Sequence, residues 1–202
     1  MTIVYLDFPD VRPDSFEWQF STITESFASP FTGDEQTADL PGAARWIAAT
    51  VFSDLARAEA TNLEAHLVEC NGPAGRIRLW NMARELPLGV ATGTPVVDGA
   101  DNYGGLLNTR GWTPSTAGIL KRGDYFSVAD EIKMLLADAN SDADGKAALT
   151  FGPNLRNVPA DGTSIVTTKP KGIFRLLDDN QAKMKYNETL GGYAIIYVET
   201  WS

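Results

Sequence analysis

The stretch Ala44-Arg45-Trp46-Ile47-Ala48-Ala49-Thr50-Val51-Phe52 decides the fold class, because it predicts a long, half-buried β-strand. Successive side chains of a strand point to opposite faces, so the even-numbered residues from Trp46 to Phe52 are expected to share one face. Those residues are apolar or β-branched, which suits burial against a hydrophobic core. The stretch therefore favours a protein built mainly of β-sheet.

Further strands are predicted on both sides of this stretch. They combine β-branched and aromatic residues with period-two alternation and are bounded by glycine, proline or polar turns. Residues 33–36 are predicted to form a turn. The predicted strands are residues 3–8, 16–20, 76–80, 173–177 and 192–201.

One helix is predicted over residues 54–67. Leu55, Leu63 and Leu67 follow helical spacing there, and the segment is rich in alanine. Ser53 or Asp54 is the expected N-cap, since a side-chain oxygen can accept a hydrogen bond from the free amides of the first turn. Asn71-Gly72 and Gly75 are expected to end the helix.

The middle of the chain, residues 89–172, has a glycine or proline about every eight to twelve residues, which suits a small all-β unit. A hairpin turn is predicted at residues 142–145. We therefore expect a mainly β (α+β) fold: a discontinuous β-sandwich or split-barrel domain, residues 1–88 plus 173–202, with one helix, and an inserted small β-barrel-like subdomain, residues 89–172. The strands predicted in the insert are 104–109, 125–128, 133–137, 147–151 and 164–167.

The composition is that of a folded soluble protein. The chain has 202 residues, of which 44% are hydrophobic and 21% are charged. The formal net charge is -9, which disfavours nucleic-acid binding through a broad basic face. The sequence shows no signal peptide and no apolar run long enough to span a membrane, so synthesis and folding in a cytoplasm are expected.

Catalytic motifs are weak throughout the sequence. His66 is the only histidine and Cys70 the only cysteine, which leaves no intrachain disulfide and no cysteine-based metal site. Neither residue has the neighbours of a nucleophilic triad, so a structural role is favoured for both. We predict that the chain is not an enzyme and has no catalytic, cofactor-binding or metal-binding residues.

Residues 138–145 imitate the opening of a calcium-binding loop. Asn140, Asp142 and Asp144 precede Gly145 at the spacing of an EF-hand. The twelfth position of that loop is Phe151, where calcium requires a bidentate glutamate. We favour a solvated hairpin turn, with weak calcium binding as the alternative.

Aromatic residues are abundant, with five tryptophans, six tyrosines and nine phenylalanines. Core packing is the first interpretation, and some of these side chains are candidates for subunit interfaces. The interface candidates are Arg78 and Trp80, which follow the helix, and the loop around Trp112. If the chain were instead a carbohydrate-binding module, Trp18 and Trp112 would be its candidate glycan contacts.

The order of glycine, proline and aromatic motifs along residues 16–201 resembles tail-tip structural proteins of tailed bacteriophages, the siphophages and their prophages. The resemblance is to proteins in the neighbourhood of distal tail proteins. The motifs are SPFTG at 29–33, LPG at 40–42, GPAGRIRLW at 72–80, GTPVV at 93–97, GDYF at 123–126, LTFGPNLR at 149–156 and KGIFRL at 171–176.

This resemblance implies a virion structural protein assembled in the cytoplasm of a bacterial host. Such proteins form a ring, usually a hexamer, that joins the tail tube to baseplate hub and tip or fibre proteins. DNA would be only passing cargo, and we hypothesise that an acidic wall faces its channel. The chain is shorter than many distal tail proteins, so direct receptor binding is not expected. The alternatives are another minor tail, tail-tube or tail-completion protein, a carbohydrate-binding module, and a hydrolase.

Overall fold

The chain folds as a mainly β protein, with about 43% of the described residues in strands and 9% in helical structure. The computed structural model describes residues 4–40, 43–180, 183, 185–186 and 191–200. The predicted strand ends at Ile3 and Trp201 lie outside these residues. The strands are β1 (Tyr5–Asp7), β2 (Ser15–Ser21), β3 (Thr24–Ala28), β4 (Glu35–Asp39), β5 (Arg45–Leu55), β6 (Arg76–Leu79), β7 (Gly93–Val97), β8 (Leu106–Trp112), β9 (Tyr125–Val128), β10 (Glu131–Leu135), β11 (Ala147–Gly152), β12 (Ile165–Val166), β13 (Gly172–Leu176), β14 (Lys185–Tyr186) and β15 (Gly191–Glu199), and the helix is α1 (Arg57–Cys70).

A seven-stranded sheet forms the larger layer of the described chain. Its order is β1-β6-β13-β15-β5-β2, and β14 pairs with β15. All its pairings are antiparallel except that of β1 with β6. The face predicted for the opening stretch is confirmed, since Trp46, Ala48, Thr50 and Phe52 are all buried. This face carries the larger core of the molecule.

Helix α1 contributes Ala60, Leu63 and Leu67 to the same core. Its predicted start is wrong, because Ser53 and Asp54 belong to β5, which continues to Leu55 through its pairing with β15. The structure places Ala56 at the N-cap, without a side-chain hydrogen bond. The predicted end is confirmed: Asn71 adopts the left-handed conformation (φ 49°), and its amide donates to the Val68 carbonyl.

The middle of the chain forms a six-stranded sheet in the order β12-β9-β10-β11-β8-β7. The two outer strands meet at a bridge between Val96 and Ser164. Val97 also donates its amide to the Thr163 carbonyl (2.9 Å) and accepts from the Gly162 amide (3.0 Å). These contacts bring the sheet edges together into a small barrel with its own hydrophobic core.

The barrel is inserted between two strands that lie side by side in the seven-stranded sheet. Leu79, the last residue of β6, is paired with Gly172, the first of β13. Two barrel residues, Tyr125 and Ile132, pack into the core of the seven-stranded sheet. The Trp46 indole also donates to the Ile132 carbonyl (3.3 Å). The barrel and the sheet therefore share packed surface.

Strands β3 and β4 form a separate two-stranded hairpin that the sequence did not predict. Only a turn at 33–36 was expected. The observed turn spans residues 29–34, with Gly33 at φ 75°, and Glu35 and Gln36 already belong to β4. We call residues 24–39 the arm. Strand β7 also lies outside the predicted set.

Candidate interaction site

The arm continues the β2–β5 hairpin beyond the seven-stranded sheet. The last pair of that hairpin joins Ser21 to Arg45, and the Leu40 amide then donates to the Ile23 carbonyl (3.2 Å). Every residue from 24 to 38 is exposed except Ser29, which is half-buried. Phe27 is 63% exposed and Phe31 is 96% exposed. The arm thus presents large apolar side chains to solvent.

Hydrogen bonds give the arm tip a defined shape. The Ser29 amide donates to the Asp34 carbonyl (2.8 Å), and the Gly33 amide donates to the Ser29 carbonyl (2.9 Å). The Ser29 hydroxyl accepts from the amides of Phe31 (3.4 Å) and Thr32 (3.3 Å). A tip held in this way presents Phe31 with less conformational entropy to lose on binding.

The arm is also acidic. It contains Glu25, Asp34, Glu35 and Asp39, and the sequence from 13 to 44 has no lysine or arginine. An arm of this charge is expected to favour a basic surface.

A cleft of about 490 Å³ lies between the connection that follows β6 and the loop that precedes β9. We call it the linker cleft and define it by Arg12, residues 82–88 and residues 123–125. Leu86 (69% exposed) and Leu88 (74% exposed) lie on its wall. It therefore offers an apolar surface to solvent, as the arm does.

Buried Asp124 holds the linker cleft together. Its carboxylate accepts from the amides of Leu88 (2.7 Å), Gly89 (3.0 Å) and Lys121 (2.8 Å). The guanidinium of exposed Arg84 donates to the Gly123 carbonyl across the cleft (3.2 Å). These bonds join the connection that follows β6 to the barrel.

A second concavity, of about 840 Å³, lies on the outward side of β2, β5 and β15. Its wall includes Ser15, Glu17, Val51 and Ile196. This is the sheet surface opposite the core, with apolar and charged side chains interspersed.

Of the predicted interface residues, Arg78 lies in β6 and Trp80 directly follows that strand. The Trp80 indole donates to Glu85 (3.3 Å), and the ammonium groups of Lys169 and Lys171 lie 5.3 and 5.7 Å from its ring centre. Arg78 lies 3.8 Å from Asp130, with its guanidinium over the Tyr5 ring. Both side chains are partly exposed, and their interface role stays a prediction.

The Trp112 ring lies inside the barrel core and is 3% exposed. Its indole donates to the Thr109 hydroxyl (2.7 Å). Trp18 is half-buried and stacks between Phe16 (5.9 Å) and Trp46 (5.5 Å). Alternation along a strand places a tryptophan on a face but does not reveal what covers that face. Both rings are thus engaged in packing within their own chain, and the interface role predicted for the loop around Trp112 stays a prediction.

His66 and Cys70 both lie on the buried side of α1, with Nε2 and Sγ 3.8 Å apart. Burial lowers the pKa of His66, and the charge of Glu69 opposes that shift only in part. Burial and Glu69 together raise the pKa of Cys70 to about 11. A neutral thiol beside a neutral imidazole is a poor nucleophile, so these observations support the structural interpretation of both residues.

In the loop that imitates a calcium site, side-chain oxygens accept hydrogen bonds from backbone amides. Asp142 accepts from the amides of Asp144 (2.9 Å) and Lys146 (2.8 Å). Asn140 accepts from the Gly118 amide (2.7 Å). Among the described residues, no cluster of three or more histidine, cysteine, aspartate or glutamate side chains is placed to hold a metal ion. The geometry is that of the predicted turn.

Four charged side chains are buried where the barrel meets the seven-stranded sheet. Lys133 contacts Glu131 (2.6 Å), and Arg156 contacts Glu199 (2.9 Å). The Glu199 carboxylate also accepts from the Trp46 amide (3.1 Å). Burial lowers the pKa of Lys133, although Glu131 opposes that shift. This network, which sequence reasoning missed, joins residues that are distant along the chain.

No protein-family model matches the chain, and no curated protein matches it in sequence. Within the described part of the chain, none of the helical structure has the length and apolar character needed to cross a bilayer.

Proposed function

We propose that this chain is a structural subunit of a bacteriophage tail tip, of the distal-tail type. In this proposal it forms a ring, a hexamer as the resemblance implies, that joins the tail tube to hub and tip or fibre proteins in the virion. The motif order along the sequence supports the family. The observation that carries the proposal is the exposed arm.

An isolated two-stranded hairpin is marginally stable in water. The arm has five cross-strand pairs and extends roughly 17 Å at about 3.4 Å per residue. Its apolar side chains gain little from burial within their own chain, because they are exposed. Contact with a neighbouring subunit supplies the missing burial, which is what a ring subunit requires of such an element.

The edges of the seven-stranded sheet offer a second means of assembly. Strands β1 and β2 lie at the two ends of its order. An edge strand presents unpaired amides and carbonyls that a strand from a neighbour can pair with. The barrel brings its own edges together, so the seven-stranded sheet is the better candidate for the ring-forming part.

The net charge of -9 agrees with a subunit whose acidic surface faces passing DNA, since like charges repel. In this proposal DNA is cargo in the channel and is not a ligand. A ring structure with a basic channel lining would remove this part of the proposal.

The proposal is tested by light scattering and negative-stain imaging of the full chain. The expected result is a closed ring with a central hole. In a matched variant, residues 24–39 are replaced by an Asn-Gly turn between Ile23 and Leu40, which the wild-type hydrogen bond already holds together. This variant is expected to remain folded and to lose the ring.

The second candidate is a tail-tube protein, because an exposed hairpin and open sheet edges also suit stacked rings. Quantitative mass spectrometry of virions separates the two: a distal ring is present once per particle, and a tube protein in many stacked copies. Absence of the chain from purified virions would overturn both candidates.

A further inference from the structure

We propose that the arm of one copy inserts its aromatic tip into the linker cleft of a second copy of this chain. The inference rests on the proposed function and deepens it, since this contact would join successive subunits of the ring. The occupant of the cleft is therefore identified as residues 24–39 of a neighbour.

The two surfaces match in apolar character. Phe31 and Phe27 are the most exposed aromatic side chains of the arm, and Leu86 and Leu88 project beside the linker cleft. Aromatic side chains that fill an apolar pocket dominate the binding energy of many interfaces. Insertion of Phe31 would remove apolar surface of both partners from water.

The two surfaces also match in charge. The arm carries four acidic residues and no basic one, whereas exposed Arg12 and Arg84 flank the linker cleft. The acidic groups of the cleft are already engaged. Glu85 contacts Arg12 (3.6 Å) and Lys169 (3.5 Å), and Asp124 binds backbone amides. Glu85 offsets the charge of Arg12 in turn, which leaves Arg84, whose guanidinium donates to the neutral Gly123 carbonyl (3.2 Å), as the positive group complementary to the acidic arm.

The arm is placed to reach another copy and not its own cleft. The cleft includes Arg12, just before β2, and Tyr125, which contacts Trp18 of β2 at 6.2 Å. The arm begins after the far end of β2, a strand of seven residues, or roughly 23 Å at about 3.3 Å per residue. The arm and the linker cleft are two different surfaces of the chain, so a contact between them joins copies head to tail. Such a contact closes into a ring when the rotation between successive copies permits.

The test uses variants of the full chain that each carry one added cysteine, and a short bis-maleimide cross-linker. Cys70 is buried, which keeps the background reaction low. Pro30→Cys and Ala83→Cys proteins are mixed, since both residues are exposed and lie beside the proposed anchors without removing them, and the matched control pairs Pro30→Cys with Val68→Cys, where Val68 is 69% exposed on the helix. Circular dichroism verifies that every variant is folded.

The expected result is at least about five-fold more heterodimer from the Pro30–Ala83 mixture than from the control mixture, which corresponds to a modest preference in binding. Adding Arg84→Glu to the Ala83→Cys protein is expected to lower the yield, and adding Glu35→Lys to the Pro30→Cys protein is expected to restore it. Equal yields in the two mixtures would overturn the inference.

The two proposals fail separately. Rings of wild-type protein without the preferred cross-link would overturn this inference and leave the ring proposal standing. The preferred cross-link in a protein that forms open filaments and is absent from virions would support the contact and overturn the tail-tip function.

Discussion

At the scale of single residues, two buried ion pairs carry a large cost of desolvation. Lys133 is fully buried beside Glu131, and Arg156 is nearly so beside Glu199. The Lys133 ammonium also donates to the Asn154 carbonyl (2.9 Å), and Glu131 accepts from the amides of Arg156 and Asn157 (3.1 Å each). An ion pair removed from water needs such additional bonds, because desolvation opposes its formation.

Removal of one member of this network is expected to be costly. Lys133→Met should lower the free energy of unfolding by about 3–5 kcal/mol, because the Glu131 charge stays buried without its partner. Lys133→Met with Glu131→Gln should lose less, since both charges are then absent. Urea denaturation measures both. Exposed Lys146, which contacts Asp98, is the matched control, and Lys146→Met is expected to leave stability nearly unchanged. Equal losses for Lys133→Met and Lys146→Met would contradict the prediction.

Stability should depend on pH through His66, the only histidine. Burial holds the pKa of His66 below its usual value of about 6.5. As the pH falls through about 6.5, the unfolded chain binds a proton that the folded chain binds less readily, so the free energy of unfolding decreases. Urea denaturation of wild type and His66→Gln between neutral and mildly acidic pH should show a steeper decline for wild type. Parallel curves would show that His66 does not titrate differently on folding.

At the scale of elements, the antiparallel pairing of β7 and β8 depends on two glycines. A Cβ at Gly93 would lie 2.4 Å from the Gly111 carbonyl oxygen, and a Cβ at Gly111 would lie 2.5 Å from that of Thr94. Both residues also have positive φ, at 107° and 88°. The close approach of these strands therefore excludes side chains at both positions.

Gly111→Ala should destabilise the barrel more than Gly104→Ala. Both positions have positive φ, so both substitutions incur about 1–2 kcal/mol of backbone strain. Gly104 has open space around it, whereas Gly111 faces a backbone carbonyl. We expect a further ~1–3 kcal/mol at Gly111 from overpacking. Chemical denaturation of the two variants gives the difference between their free energies of unfolding. Equal denaturation midpoints would show that β7 and β8 move apart at Gly111 without loss of stability.

Sequence pattern predicted elements where periodicity and turn residues coincide. The buried face of β5 was predicted from alternation, and the end of α1 from Asn71-Gly72. The start of α1 was missed because strand pairing extends β5 through Ser53 and Asp54, a tertiary effect that local cap chemistry does not reveal. The arm was missed because its strands carry mostly polar residues with no face to bury. The linker cleft joins Arg12 to residues 82–88 and 123–125, and sequence alone does not show that proximity.

At the scale of the whole molecule, the sheet and the barrel should unfold together. Tyr125 and Ile132 belong to the core of the seven-stranded sheet, and the Ile173 amide donates to the Asp130 carbonyl (3.2 Å). Separation of the two units would expose this shared surface and the buried charges beside it.

Hydrogen exchange tests this cooperativity. The slowest amides of β9 and β10 are expected to exchange with the same opening free energy as those of β5 and β15, because global unfolding exposes both sets. Mass spectrometry of fragments measures both sets in one experiment. Markedly faster exchange in the barrel would show that it opens by itself.

The pairing of Leu79 with Gly172 has a consequence for how such proteins diversify. Because neighbouring strands are only roughly 5 Å apart, the inserted segment leaves and re-enters the sheet at almost the same point. Genes can therefore lengthen, shorten or exchange that segment while the register of the sheet is preserved. Selection limits this freedom at one place, since any replacement must again cover the Trp46 indole and neutralise Glu199.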